Sequence, residues 1–144
     1  MPKVLDAHSM FEQSNKLTKV GVITIPSATD IHSMFGNANK LLEVNMQETG
    51  NVTNFSYLCS DCASLVTFHT IDMSSSTSII NMFSSCPKLS DDSLNNIMES
   101  LITATYYTGT KTLATLGLTE EQATKCTTLS NYSAFTAAGW TTGY

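Results

Sequence analysis

One property constrains this chain more than any other: a block of sequence returns every 24 residues. Ser9-Met10-Phe11-Glu12-Gln13-Ser14-Asn15-Lys16-Leu17 comes back as Ser33-Met34-Phe35-Gly36-Asn37-Ala38-Asn39-Lys40-Leu41. Looser copies follow at Tyr57-Leu58-Cys59-Ser60-Asp61-Cys62-Ala63-Ser64-Leu65 and Asn81-Met82-Phe83-Ser84-Ser85-Cys86-Pro87-Lys88-Leu89, with no insertion between copies. A fixed period in this range is the mark of an array in which each unit buries its apolar edge against the next.

Within a unit, a small residue (Ser14, Ala38, Cys62) is followed three positions later by Leu17, Leu41 or Leu65, and then by Val20, Val44 or Phe68. Val20 to Val22 and Val44 to Met46 alternate with period two, which predicts short strands with Val22 and Met46 turned inward. Upstream, Thr29-Asp30 and Thr53-Asn54 are start signals of a helical turn. Ile31, Phe55 and Ile79 are expected inside, beside Met34, Leu58 and Met82. The expected fold class is therefore α/β: a solenoid of about four 24-residue units with short parallel strands and a helical C-terminal cap. Residues 1–90 form the repeats and 91–144 the cap.

After Leu89 the period fails. Ser90-Asp91-Asp92-Ser93 supplies N-cap chemistry, and Leu94, Ile97, Met98, Leu101 and Ile102 follow at helical spacing, predicting a helix of about 13 residues. Residues 112–118 read as a last short strand. Glu120 and Glu121 open a second helix, where the helix dipole favours carboxylates. Ser130 is expected to cap a third helix, running to Ala138 and ended by Gly139.

At 144 residues the chain is one domain's worth, with 42% hydrophobic residues for a core and only 13% charged. Seven Lys and Arg against a net charge of −5 exclude a phosphate-binding surface, so nucleic acid is not an expected partner. No apolar run approaches the roughly 20 residues that span a bilayer, so membrane insertion is not expected either. No secretory leader is visible, and Met10-Phe11 already falls in mid-unit. The first coil is thus expected to be covered by another chain, or the chain to be a piece of a longer protein.

The residues that could carry chemistry are few. Cys59-x-x-Cys62 is a single pair where a zinc site of this type uses two. Cys62 and Cys86 are 24 apart in the small-residue slot, and Cys59 takes the slot of Phe35 and Phe83, so these read as buried free thiols. His8 and His32, each before Ser-Met-Phe, read as a surface ladder rather than a metal site. Asp91-Asp92 and Glu120-Glu121 are explained by capping. No nucleophile elbow and no phosphate-cradling Gly-rich loop is present. No catalytic residue, metal ligand or cofactor is expected. The outward strand positions Lys19, Glu43, Asn45, Thr67 and His69 form a grid, which is the candidate ligand-binding face.

Asn81-Met82-Phe83-Ser84-Ser85-Cys86-Pro87-Lys88-Leu89, together with Asn51-Val52-Thr53-Asn54-Phe55, resembles the BspA-like leucine-rich repeats of bacteria and their phages. Ser14 and Ala38 depart from the cysteine usual there. The tail from Leu94 to Tyr144 is similar to the ending common in that family, which implies that Tyr144 is a natural terminus. The resemblance implies a non-enzymatic recognition module, the C-terminal repeat domain of a bacterial surface or phage tail protein concerned with adhesion. It would be located at a cell surface, secreted or on a phage particle, and would bind a host-surface protein or glycan. The alternative is a structural or assembly domain that docks, or self-associates, through its uncapped N-terminal coil.

Overall fold

A computed structural model describes residues 3–144; Met1 and Pro2, which open the expected 1–90 repeat region, lie outside the described residues. The expected fold class is corrected by it. In place of a leucine-rich-repeat solenoid whose units line up one continuous parallel sheet, the described residues form four strands of two residues each: β1 (Ile23–Thr24), β2 (Glu43–Val44), β3 (Met46–Gln47) and β4 (Thr67–Phe68). They pair as two separate two-stranded parallel sheets, β1 with β3 and β2 with β4. Three helices follow: α1 (Asp91–Thr103), α2 (Glu120–Cys126) and α3 (Tyr132–Ala137).

The strands stay short for a local reason. Residues 6–90 are mainly turns and irregular backbone, and left-handed residues recur in the turns. Ser9, Ser33, Tyr57 and Asn81 sit at φ of 53–57°, and Gln13, Asn37, Asp61 and Ser85 at 58–59°. A strand cannot run through such positions. The 24-residue spacing persists as hydrogen bonds between neighbouring segments. Isolated parallel bridges join Asp6 to Asp30, Asp30 to Asn54, and Asn54 to Ser78. The N–H groups of Ala7, Ser9, Phe11 and Gln13 donate to the carbonyls of Asp30, His32, Met34 and Gly36 at 2.8–3.0 Å. Those of Ile31, Ser33, Phe35 and Asn37 donate in the same way to Asn54, Ser56, Leu58 and Ser60.

One core runs through the molecule. Ile31, Met34, Phe35, Leu41, Phe55, Leu58, Leu65, Phe68 and Ile79 are fully buried. The first strand breaks the expected register. Lys19 bridges Glu43, a separation of 24, but Ile23 pairs with Met46, a separation of 23. The extra residue falls beside Gly21. It turns Val22 outward and brings Ile23 against the core, because a one-residue slip moves a strand's side chains to the opposite face.

Helix α1 begins where expected: the Ser90 hydroxyl accepts from the Ser93 N–H, and the helix buries Leu94, Ile97, Met98 and Leu101. Its polar face closes the sheet edge. Ser93 Oγ accepts from the Phe68 N–H and donates to the Val66 carbonyl, while Ser100 Oγ and Thr103 Oγ1 accept from the N–H groups of Ile71 and Met73. The segment expected as a last strand is instead a 3₁₀ turn at Ala114–Leu116, ended by Gly117 at φ 80°, with one bridge from Thr112 to Thr141. Thr119 and Gln122 form a reciprocal capping box at the start of α2. Ser130 does not cap α3; it hydrogen-bonds Asn95, and α3 starts at Tyr132, with Asn131 in the N-cap position making no side-chain cap.

Candidate functional site

The sheet face carries the five residues of the candidate grid. Val44 and Phe68 point into the core, so the alternating neighbours Glu43, Asn45, Thr67 and His69 share the outer face, all partly buried. Glu43 is its centre. Its carboxylate accepts from Lys19 Nζ at 3.1 Å and lies 2.8 Å from His69 Nε2. The His69 ring and then the Lys19 ammonium hold its pKa below the usual glutamate value. Three segments are thereby pinned in one row. The row largely satisfies itself: Glu43 spends both oxygens within it, and Lys19 is the most exposed member.

A second row was only half legible in sequence. The His8 and His32 rings stack at 4.7 Å with planes 2° apart. Each is held by an aspartate two residues upstream: Asp6 Oδ1 contacts His8 Nδ1, and Asp30 Oδ1 lies 2.7 Å from His32 Nδ1. Asn54 then donates to Asp30 Oδ2 at 3.2 Å. The backbone N–H of His8, then its ring, lower the pKa of Asp6, and the Asp6 partner raises that of His8. Asp30 is pushed up by partial burial but held lower overall by the His32 N–H, the His32 ring and Asn54. The signal was present, since Asp6-x-His8 and Asp30-x-His32 are repeat-equivalent. Parallel rings aim their outer nitrogens side by side rather than at one point. Among the described residues no group of three or more His, Cys, Asp or Glu side chains is placed to hold a metal ion.

All four cysteines are buried and free. Cys62 Sγ donates to the Phe35 carbonyl and Cys86 Sγ to the Cys59 carbonyl, each thiol meeting the segment before its own. Burial pushes Cys59 and Cys86 well above the usual thiol range, and Cys126 up to about 11. The hydrogen bond from Cys59 lowers Cys62. Cys59, Cys86 and Cys126, sealed this way, are weak nucleophiles, because the thiolate is the reactive form.

The first segment differs from every other. Its outer edge presents the carbonyls of Asp6, His8, Met10 and Glu12, the counterparts of those that accept hydrogen bonds at 30, 32, 34 and 36. Among the described residues nothing donates to these four. Beside them Val4, Leu5 and Met10 are about half exposed, and Phe11, stacked on Phe35 at 5.5 Å, is only partly covered. Val4, Met10, Ile23, Ile25, Pro26 and Met34 line an apolar groove of about 400 Å³.

No family model, no curated protein and no solved structure matches this chain, so the resemblance to BspA-like repeats rests on the quoted residues alone.

Proposed function

We propose that this chain is a non-enzymatic docking module that engages a macromolecular partner through the surface of its first segment. The apolar groove, with Val4, Leu5 and Met10 beside it, is the observation that carries the reading. Contiguous apolar surface of this kind marks interaction sites, because leaving it in water costs free energy that a partner's apolar side chains recover. A bacterial surface or phage particle, with a host protein as partner, is the setting that the resemblance adds to the proposal.

The outer sheet face supplies a second reading. Lys19, Glu43, Asn45, Thr67 and His69 lie together there, and a glycan or polar protein surface could exchange with the Glu43 ion pairs. One experiment separates the two. Binders selected from a displayed peptide library are measured against the parent chain, Met10→Glu, and a Lys19→Ala, His69→Ala double variant. Docking at the first segment predicts at least a tenfold loss on Met10→Glu with the double variant unchanged. The opposite pattern transfers the function to the sheet face. Binders indifferent to both changes refute both readings.

A further inference from the structure

The groove is the apolar half of the docking reading; the backbone beside it adds a polar half. We infer that the occupant is a partner polypeptide that lays a turn-rich segment, patterned like residues 7–13, across the first segment and donates alternate N–H groups to the carbonyls of Asp6, His8, Met10 and Glu12. This inference rests on the docking reading given above.

The template is internal. At the first junction the N–H groups of Ala7, Ser9, Phe11 and Gln13 meet the carbonyls of Asp30, His32, Met34 and Gly36, and Phe11 stacks on Phe35. At the second, Ile31, Ser33, Phe35 and Asn37 meet Asn54, Ser56, Leu58 and Ser60. At the third, Phe55, Tyr57, Cys59 and Asp61 meet Ser78, Ile80, Met82 and Ser84. Every junction uses the same four-donor ladder and runs in the same direction. The edge at residues 6–12 is the acceptor half of a further junction, with Phe11 in the slot that Phe35 fills beneath Phe11. Main-chain pairing of this sort supplies affinity, and the side chains between supply specificity.

The ladder also decides against a second copy. Two first segments brought together would set carbonyl against carbonyl, with no donors between them. A copy added head to tail would have to offer donors from its other end, where the N–H groups of Asn81 and Phe83 are already taken by the carbonyls of Thr115 and Leu116. A hydrocarbon surface offers no donors, and lipid headgroups do not offer them in a row at fixed two-residue spacing. A polypeptide offers them at the required two-residue spacing.

Two measurements test this on the whole chain. In the first, residues 3–26 are duplicated in tandem ahead of Lys3, so that the added copy reaches the edge at high effective concentration. Slowing of amide exchange by at least tenfold at the added copies of Ala7, Ser9, Phe11 and Gln13, with a raised melting temperature, is expected. Free exchange there overturns the ladder. In the second, a labelled peptide of residues 5–18 is titrated by anisotropy beside the same peptide N-methylated at Ser9 and Phe11. At least tenfold weaker binding of the methylated peptide is expected. Where the plain peptide does not bind measurably, the tandem chain decides. Equal binding of both peptides, lost on Met10→Glu, overturns the ladder and leaves the docking reading standing. An added copy that exchanges freely, with peptide binding indifferent to Met10→Glu, overturns both. A dimer in light scattering that Phe11→Glu dissociates overturns the choice of a partner over a second copy.

Discussion

The segment around Phe11 and the segment around Phe35 carry nearly the same nine residues and meet different fates. Phe35 has a segment on either side and is fully buried; Phe11 has one and is only partly covered. The small-residue slot behaves the same way, with Ser14 partly exposed where Ala38 and Cys62 are sealed. At the far end the fourth segment is closed by the 3₁₀ turn, whose Thr115 and Leu116 carbonyls accept from the N–H groups of Asn81 and Phe83, so Phe83 is buried although no fifth segment follows. Burial here belongs to the junction rather than to the residue, and a pattern in sequence specifies what a side chain can do only together with what lies over it.

The sharpest way to break that comparison is to empty the same slot twice. Phe35→Ala is expected to destabilise by about 3–5 kcal/mol, since it leaves a cavity with no route to solvent. Phe11→Ala should cost about 1 kcal/mol or less, because its ring already gives up part of its burial. Equal losses in denaturant melts would mean that the first segment is as tightly packed as the second.

The closed end can be probed through α1. Ser93→Ala removes the acceptor of the Phe68 N–H and the donor to Val66, and should cost about 1–3 kcal/mol, the penalty for stranding buried backbone groups. Faster amide exchange at Phe68 in the same variant would locate the loss at β4. A contrast in glycines comes next. Gly117 sits at φ 80° with the Ser84 backbone 2.9 Å from where a Cβ would stand, so Gly117→Ala should destabilise by about 1–3 kcal/mol. Gly21, at the open end, has nothing near that position, and Gly21→Ala should be neutral or stabilise by up to about 1 kcal/mol.

The smallest effect concerns His8. Its pKa is raised in the folded chain by Asp6. The pairing therefore favours the fold below the unfolded histidine value and fades as pH rises through the folded one. Asp6→Asn should lower the His8 midpoint in an NMR titration; an unmoved midpoint would show that the solvent-exposed pair does not form. Stability itself should change little, as is usual for exposed pairs.

Much of the interior was legible in sequence because the period named it. Ile31, Phe55 and Ile79, with Met34, Leu58 and Met82, are buried as their spacing implied. So was α1, where an N-cap serine and a helical run of apolar residues agree. The class of fold was not. Period-two alternation over three residues predicts a strand in every unit, whereas the strands are two residues long and the rest of each unit is turn, with left-handed residues, and irregular backbone. Nothing in residue type announces φ near 55° at Tyr57, a bulky residue in a region such residues rarely occupy. The inward place given to Val22 failed for a one-residue slip at Gly21 that composition does not reveal. The polar side of α1 did leave a signal. Ser93, Asn96, Ser100 and Thr103 recur at intervals of three and four and supply side-chain partners to the backbone of Phe68, Ile71 and Met73. Of the candidate grid, the alternation placed the residues together, but the Glu43 ion pairs depend on reach across segments, which spacing alone does not measure.

The uniform length of the junctions has a kinetic consequence. Because each ladder joins residues 23 or so apart, every closure costs a similar and modest loop entropy, and no contact of a new segment waits for the two ends of the chain to meet. Folding can then advance one junction at a time from the helix-closed end, and unfolding can retreat along the same line. The residues that exchange earliest would be those around Asp6 to Gln13, and a partner docked there, as proposed, would act as a late-closing clasp on the whole sequence of steps.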